Sequence, residues 1–135
     1  MIIVVERPPN YDEIVAAIPA ARNYGVFFAF GKQIFNPDGV SLDASLVAHE
    51  RVHGDRQGDD PRGWWRRYLD DQQFRFAEEL VAHCVEWQHV RDNSGTRNER
   101  RAALAKIAKR LASPLYGSLV SFESAKRMIK EGVRP

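Results

Sequence analysis

The sequence predicts a mixed α+β fold, a small sheet or hairpin at the N-terminal end followed by helices, and three observations lead there. Short apolar runs rich in β-branched and aromatic residues (Ile2-Ile3-Val4-Val5, then positions 26–35) all lie before position 36. From position 43 the apolar spacing changes to steps of three and four residues, the period of a helix. Between the two regimes stands Asn36-Pro37-Asp38-Gly39, a run of turn formers that neither a strand nor a helix should cross.

The elements follow in chain order. Residues 2–5 read as a strand, ended by Pro8-Pro9. Residues 11–21 read as a helix whose first turn carries Asp12 and Glu13, favourable at the positive end of the dipole, and which Pro19 should end or distort. Residues 26–35, with Gly31-Lys32 in the middle, read as a hairpin or one bent strand. A helix is expected over 43–57, capped by Asp43 or Ser41, and a loop over 58–63. A second long helix should run from Trp64 or Trp65 to about Val90, and Asp92-Asn93-Ser94-Gly95 should break it. A helix over 99–112 follows, stopped by Ser113-Pro114, and a short helix over 121–130 ends the chain. The helix at 43–57 is thus expected to be followed by two to three more.

A length of 135 residues suits one domain, and 44% hydrophobic residues are too many for a wholly disordered chain. No apolar run reaches the roughly 18 residues that a membrane span needs. The apolar opening is too short for a signal-peptide core and has no basic segment before it, so a cytoplasmic location is expected. Cys84 is the single cysteine, which excludes an intramolecular disulfide, and it reads as buried and inert.

The formal charge of +2 conceals an asymmetry. Residues 1–96 carry 10 Lys/Arg against 15 Asp/Glu, a balance of −5, and residues 97–135 carry 10 against 3, a balance of +7. The basic part could take an acidic or nucleic-acid partner or an anionic membrane, could wall a cleft in the acidic part, or could be a solvated helix face.

The acidic part carries the chemistry. His49-Glu50-Arg51-Val52-His53 has the pattern H-E-x-x-H. On a helix the two imidazoles, four residues apart, share a face and can reach one ion, with Glu50 turned aside where it can serve a water on that ion. Metal-assisted hydrolysis needs this arrangement: the metal polarises a carbonyl and acidifies the water, and the glutamate takes the proton. A hydrolytic zinc site needs a third protein ligand and an open fourth position. Candidates on the next helix are Glu78, Glu79, His83 and Glu86, of which Glu79, His83 and Glu86 share one face.

His49-Glu50-x-x-His53 together with Glu79-x-x-Ala82-His83, with 25 residues between His53 and Glu79, resembles the gluzincin metallopeptidases, especially the small ones of bacteria and phages. The resemblance covers roughly 24–90. It implies a zincin-like fold over a single domain, 1–135, a Zn²⁺ ion held by His49, His53 and Glu79, Glu50 as general base, and a peptide or protein substrate. It also implies a close helix contact at Ala82 and a strand edge near residues 25–30 along which substrate could lie. His83 stands where those proteins often carry Asp, Asn or Tyr. It could be a group supporting the ligands, a transition-state donor, a ligand in place of Glu79, or a buried histidine with no metal role. Larger gluzincins stabilise the oxyanion with a Tyr or His from a C-terminal subdomain, and here Tyr116 is the comparable residue, otherwise a packing residue. Trp64 and Trp65 read as core or cleft lining, and Gln57 as a group orienting His53 or as solvated. The alternative to a peptide hydrolase is a non-catalytic phage or mobile-element accessory protein that retains the fold and binds through its basic helices. A cell-wall peptide is a further candidate substrate.

Overall fold

The computed structural model describes residues 1–93 and 95–133. It is a mixed α+β fold, with three strands and six α-helices among the described residues. The strands are β1 (Ile2–Val4), β2 (Phe28–Phe30) and β3 (Gln33–Phe35), and they form one sheet in the order β1-β3-β2. β2 and β3 are an antiparallel hairpin that pairs Ala29 with Ile34, and Gly31 takes a φ of 62° at the turn, a conformation glycine adopts without strain. β1 lies parallel to β3, with Ile3 opposite Ile34.

The helices are α1 (Tyr11–Ala17), α2 (Ala44–Gln57), α3 (Pro61–Asp70), α4 (Gln72–Asn93), α5 (Arg97–Leu111) and α6 (Phe122–Glu131). The sequence expectation holds for the strand, the hairpin, α2, α5 and α6 to within a few residues. α1 stops at Ala17, and Pro19–Arg22 is a separate 3₁₀ turn, as Pro19 requires.

One helix expected from the sequence is two. α3 begins earlier, at Pro61, because Asp60 caps it through the Gly63 N–H and proline suits the first helical position. It ends at Asp70, where Asp71 turns extended, and the Asp71 carboxylate accepts from the Gln73 and Phe74 N–H groups at 3.0 and 3.1 Å to start α4. Four helices therefore follow α2, rather than two or three. An aspartate inside an apolar pattern reads as a solvated helical residue unless its backbone bonds are known. α4 ends at Asn93; Ser94, part of the expected break, lies outside the described residues, as do positions 134 and 135 of the basic segment.

Two apolar clusters flank the long α4. One joins α1, the 3₁₀ turn, β2, β3 and α3 through Ile14, Ile18, Phe28, Phe35, Trp65 and Tyr68. The other joins α4, α5 and α6 through Trp87, Leu104, Leu111 and Ile129. Between them α2 lies along α4, with Val52 against Val81 and the fully buried Ala82. Ala82 adds little bulk to the face that α4 turns to α2 at that point.

Candidate metal centre

α2 and α4 bury an unusual set of polar groups at their contact. His49, Glu50 and His53 from α2, and Glu79, His83 and Glu86 from α4, are all at most 6% exposed. Helical spacing explains the alignment: residues 49 and 53 lie one turn apart, and 79, 83 and 86 follow at four and three.

His49 Nε2 lies 3.3 Å from Glu79 Oε1, and His53 Nε2 lies 3.1 Å from Glu79 Oε2. Glu50 stands beside them, its Oε1 3.8 Å from His49 Nε2. Glu78, rotated away as its position predicts, is held by Arg56 at 2.5 Å and by the Trp64 indole N–H at 2.7 Å.

A second layer holds this set in place. The Nδ1 of His49 faces Glu86 Oε1 at 2.9 Å, and Arg110 of α5 donates to both Glu86 oxygens at 2.7 Å. The Tyr68 hydroxyl donates to Glu79 Oε2 at 2.6 Å. Trp64 lies against His53, with ring centroids 5.4 Å apart. Sequence reasoning assigned no role here to Tyr68 or Arg110. They lie 11 and 24 residues from their partners, on other helices, where no periodicity connects them.

Electrostatics follow from burial and these contacts. Burial opposes a charge on His49, but the Glu79 and Glu86 carboxylates raise its pKa to about 10. Burial alone would raise the Glu79 carboxyl, yet the His53 and His49 imidazoles hold it well below the usual range. For Glu86 the Arg110 and His49 bonds overcome burial and lower its pKa to about 2. Burial raises the pKa of Glu50, which makes it a stronger base than a solvated carboxylate. Burial, and after it the Glu79 charge, keeps Tyr116 protonated, its pKa well above the ordinary value.

Two sets of buried side chains, His49 with Glu50 and His53, and His49 with Glu79 and His83, each bring one possible ligand atom per residue within 4.8 Å of one another, close enough to share an ion. Glu86, ionised and clamped by Arg110, can only accept, so His49 Nδ1 carries the hydrogen and Nε2 of the neutral ring is a lone pair. That lone pair then faces a carboxylate oxygen, and two acceptors this close need a cation between them, either a proton or a metal. His53 Nδ1 and Nε2, Glu79 Oε1 and His83 Nε2 have no hydrogen-bond partner in the structure. Leaving buried polar atoms unpartnered costs about 1–3 kcal/mol each. The two imidazoles face different oxygens of Glu79, His49 at Oε1 and His53 at Oε2, so the carboxylate lies between them.

His83 is fully buried and its Nδ1 lies 2.6 Å from the Glu79 backbone carbonyl. A carbonyl only accepts, so Nδ1 carries the hydrogen and Nε2 is a lone pair. Burial and the neighbouring His49 lower its pKa to about 3, which keeps the ring neutral. In this tautomer Nε2 can ligate but cannot donate to an oxyanion.

Two cavities meet at this cluster. A small one of about 50 Å³ is lined by apolar groups including Ile14, Ile18, Phe28, Trp64 and Trp65, and it reaches Glu50, His53 and Glu79. A larger one of about 260 Å³ lies between residues 25–27, α2 and α5. Glu50 and Tyr116 line both. Tyr116 ends the 3₁₀ turn Pro114–Tyr116, closed by Gly117 at a φ of 89°, with its ring edge-on to His83 at 5.3 Å. Trp64 and Trp65 are thus both core and cavity wall.

Two expectations for neighbouring groups change. Gln57 is neither solvated nor bonded to His53: its amide donates to the Ala29 carbonyl at 2.9 Å and accepts from the Gly31 N–H at 2.7 Å. The Trp65 indole donates to the same Ala29 carbonyl at 3.0 Å. Side chains therefore occupy these β2 and turn groups, so a substrate strand could use only the stretch before Ala29. Cys84 is buried as expected, and burial pushes its thiol pKa up.

No family model, curated protein or solved structure matches the chain. No helix among the described residues is long and apolar enough to cross a membrane.

Proposed function

We propose that the protein is a zinc-dependent peptide hydrolase of the minimal gluzincin type. The observation that supports it best is the convergence of His49, His53 and one carboxylate, Glu79, at 3.1–3.3 Å, with Glu50 beside them where two cavities meet. In this reading His49, His53 and Glu79 hold the ion and leave a fourth position open. The bound ion would supply Lewis-acid polarisation of the peptide carbonyl and would acidify a water. Glu50 would take the proton of that water on its carboxylate and deliver it to the leaving amine. Tyr116, kept protonated, would donate from its hydroxyl to the developing oxyanion. Tyr68 would hold Glu79, and the Arg110–Glu86 pair would hold His49 in the tautomer whose Nε2 can ligate. His83 would stand behind the ligands as a neutral lone-pair group.

A second reading has an observation of its own. With a proton on His49, the series Arg110, Glu86, His49, Glu79 alternates in charge, so the cluster could act without metal as a buried ion-pair network joining α2, α4 and α5. The protein would then be a non-catalytic one that works through its basic helices.

Elemental analysis and a peptide-library cleavage assay separate the two. The hydrolase reading expects about one zinc per chain in the wild type and in Glu50→Gln, with cleavage abolished in the latter. His49→Ala and His53→Ala should lose both zinc and cleavage. A folded wild-type protein that takes up no zinc, or cleavage that survives loss of zinc, would overturn it.

A further inference from the structure

We propose that the larger cavity is a carboxylate-binding subsite served by Lys106, so that substrates carry a carboxylate on one side of the reacting bond and an apolar side chain on the other. The proposal deepens the hydrolase reading and rests on it. The two cavities share Val26, Phe27, Glu50, Leu115 and Tyr116, so a peptide held at Glu50 has both within reach of its neighbouring residues. Their linings differ in chemistry: the small cavity is walled by aliphatic and aromatic groups, whereas the larger receives Lys106 and Arg110 from α5.

These two cations are not equivalent. Arg110 is spent on Glu86, which it grips at both oxygens. Lys106, one helical turn earlier on the same face, forms no ion pair with any described residue. The remaining walls carry little to neutralise it. Residues 25–27, Leu46, Leu115 and Tyr116 are uncharged at neutral pH, and α2 offers His49 and Glu50, which the hydrolase reading assigns to the ion and its water. An ammonium on a flexible stem, beside a cavity of about 260 Å³ that adjoins the general base, is suited to receive a peptide carboxylate. That carboxylate could be an Asp or Glu side chain or the C-terminus of the substrate.

The test uses the zinc-loaded Glu50→Gln protein and matched short peptides, with binding read by calorimetry and cleavage by the wild type read by mass spectrometry. One set is capped at both ends and carries Glu, Gln or Lys next to an apolar residue; the other ends in a free carboxylate or an amide. The carboxylate member of at least one set should bind about tenfold more tightly than its neutral counterpart. Lys106→Gln should bring that ratio to about one, and Lys106→Glu should turn the preference towards the Lys peptide. Lys130→Gln, on α6, should leave the ratio unchanged. Preference confined to the capped Glu peptide assigns an internal acidic residue, and preference confined to the free terminus assigns a C-terminal carboxylate. Equal binding of charged and neutral members, a preference that survives Lys106→Gln, or no binding of any peptide would overturn the subsite. Failure of the hydrolase reading looks different: the wild type cleaves none of the peptides while the Lys106-dependent binding preference persists.

Discussion

Arg110 donates to both carboxylate oxygens of Glu86 at 2.7 Å, and through that carboxylate it fixes His49, whose Nδ1 lies 2.9 Å away. A residue of the basic C-terminal part thereby controls a candidate ligand on α2 through a carboxylate of α4. If the centre binds zinc, Arg110→Met should weaken zinc affinity by about 10- to 100-fold, the usual effect of losing a group that orients a ligand. Competition against a chelator of known affinity measures this, with circular dichroism to confirm that the helices remain. Unchanged affinity in a folded variant would dissociate the Arg110–Glu86 pair from the centre.

The same pair makes the metal-free protein acid-sensitive. The Glu86 pKa is about 2 in the fold, against 4.5 for an ordinary glutamate. A carboxyl whose folded-state pKa is depressed contributes stability that is present above its unfolded pKa and lost as pH falls through the folded one. The thermal midpoint of the metal-free protein should therefore drop as pH is lowered from about 5 towards 2. Glu86→Gln should be less stable than wild type at pH 7 and should lose less on acidification. Parallel pH profiles for the two proteins would refute this assignment.

Gly54, directly after His53 inside α2, should behave unlike an ordinary helical glycine. Replacing glycine by alanine within a helix normally gains about 1 kcal/mol. Here an added Cβ would collide with the Gly31 carbonyl oxygen and the end of the Met1 side chain. Gly54→Ala should therefore cost about 1–3 kcal/mol in urea denaturation, as overpacked sites do. A gain in stability would mean that α2 can move off the hairpin turn.

The two sides of the centre were not equally legible. H-E-x-x-H is visible because both imidazoles belong to one helix, whose period relates sequence spacing to direction. Glu79 was legible only through its joint spacing with Ala82 and the family resemblance. From helical phase alone Glu79, His83 and Glu86 were equivalent, since all three share a face. What separates them is their height along α4 relative to α2. Glu79 meets both imidazole Nε2 atoms, Glu86 lies behind one ring, and His83 turns its Nδ1 to its own helix.

Gln57 and Asp71 went astray for a related reason. Gln57 reads in sequence as a group orienting His53 or as solvated, and Asp71 falls inside one expected helix, yet each proves to be a backbone partner, one for the hairpin and the other for the start of α4. Such roles depend on which backbone groups are left without a bond, and that is settled by the surrounding fold.

By itself the sequence determined the first strand, the extended region at 26–35, the helix bearing His49, Glu50 and His53, and the division into acidic and basic parts, because these depend on composition, local propensity and periodicity. Only the tertiary structure decided that Asp71 splits a helix, that Arg110 and Tyr68 contact Glu86 and Glu79, and that two cavities, one of them reached by Lys106, share Glu50. Those arrangements arise between helices that are distant along the chain, where the close contact at Ala82 and the need to satisfy buried charges set the positions.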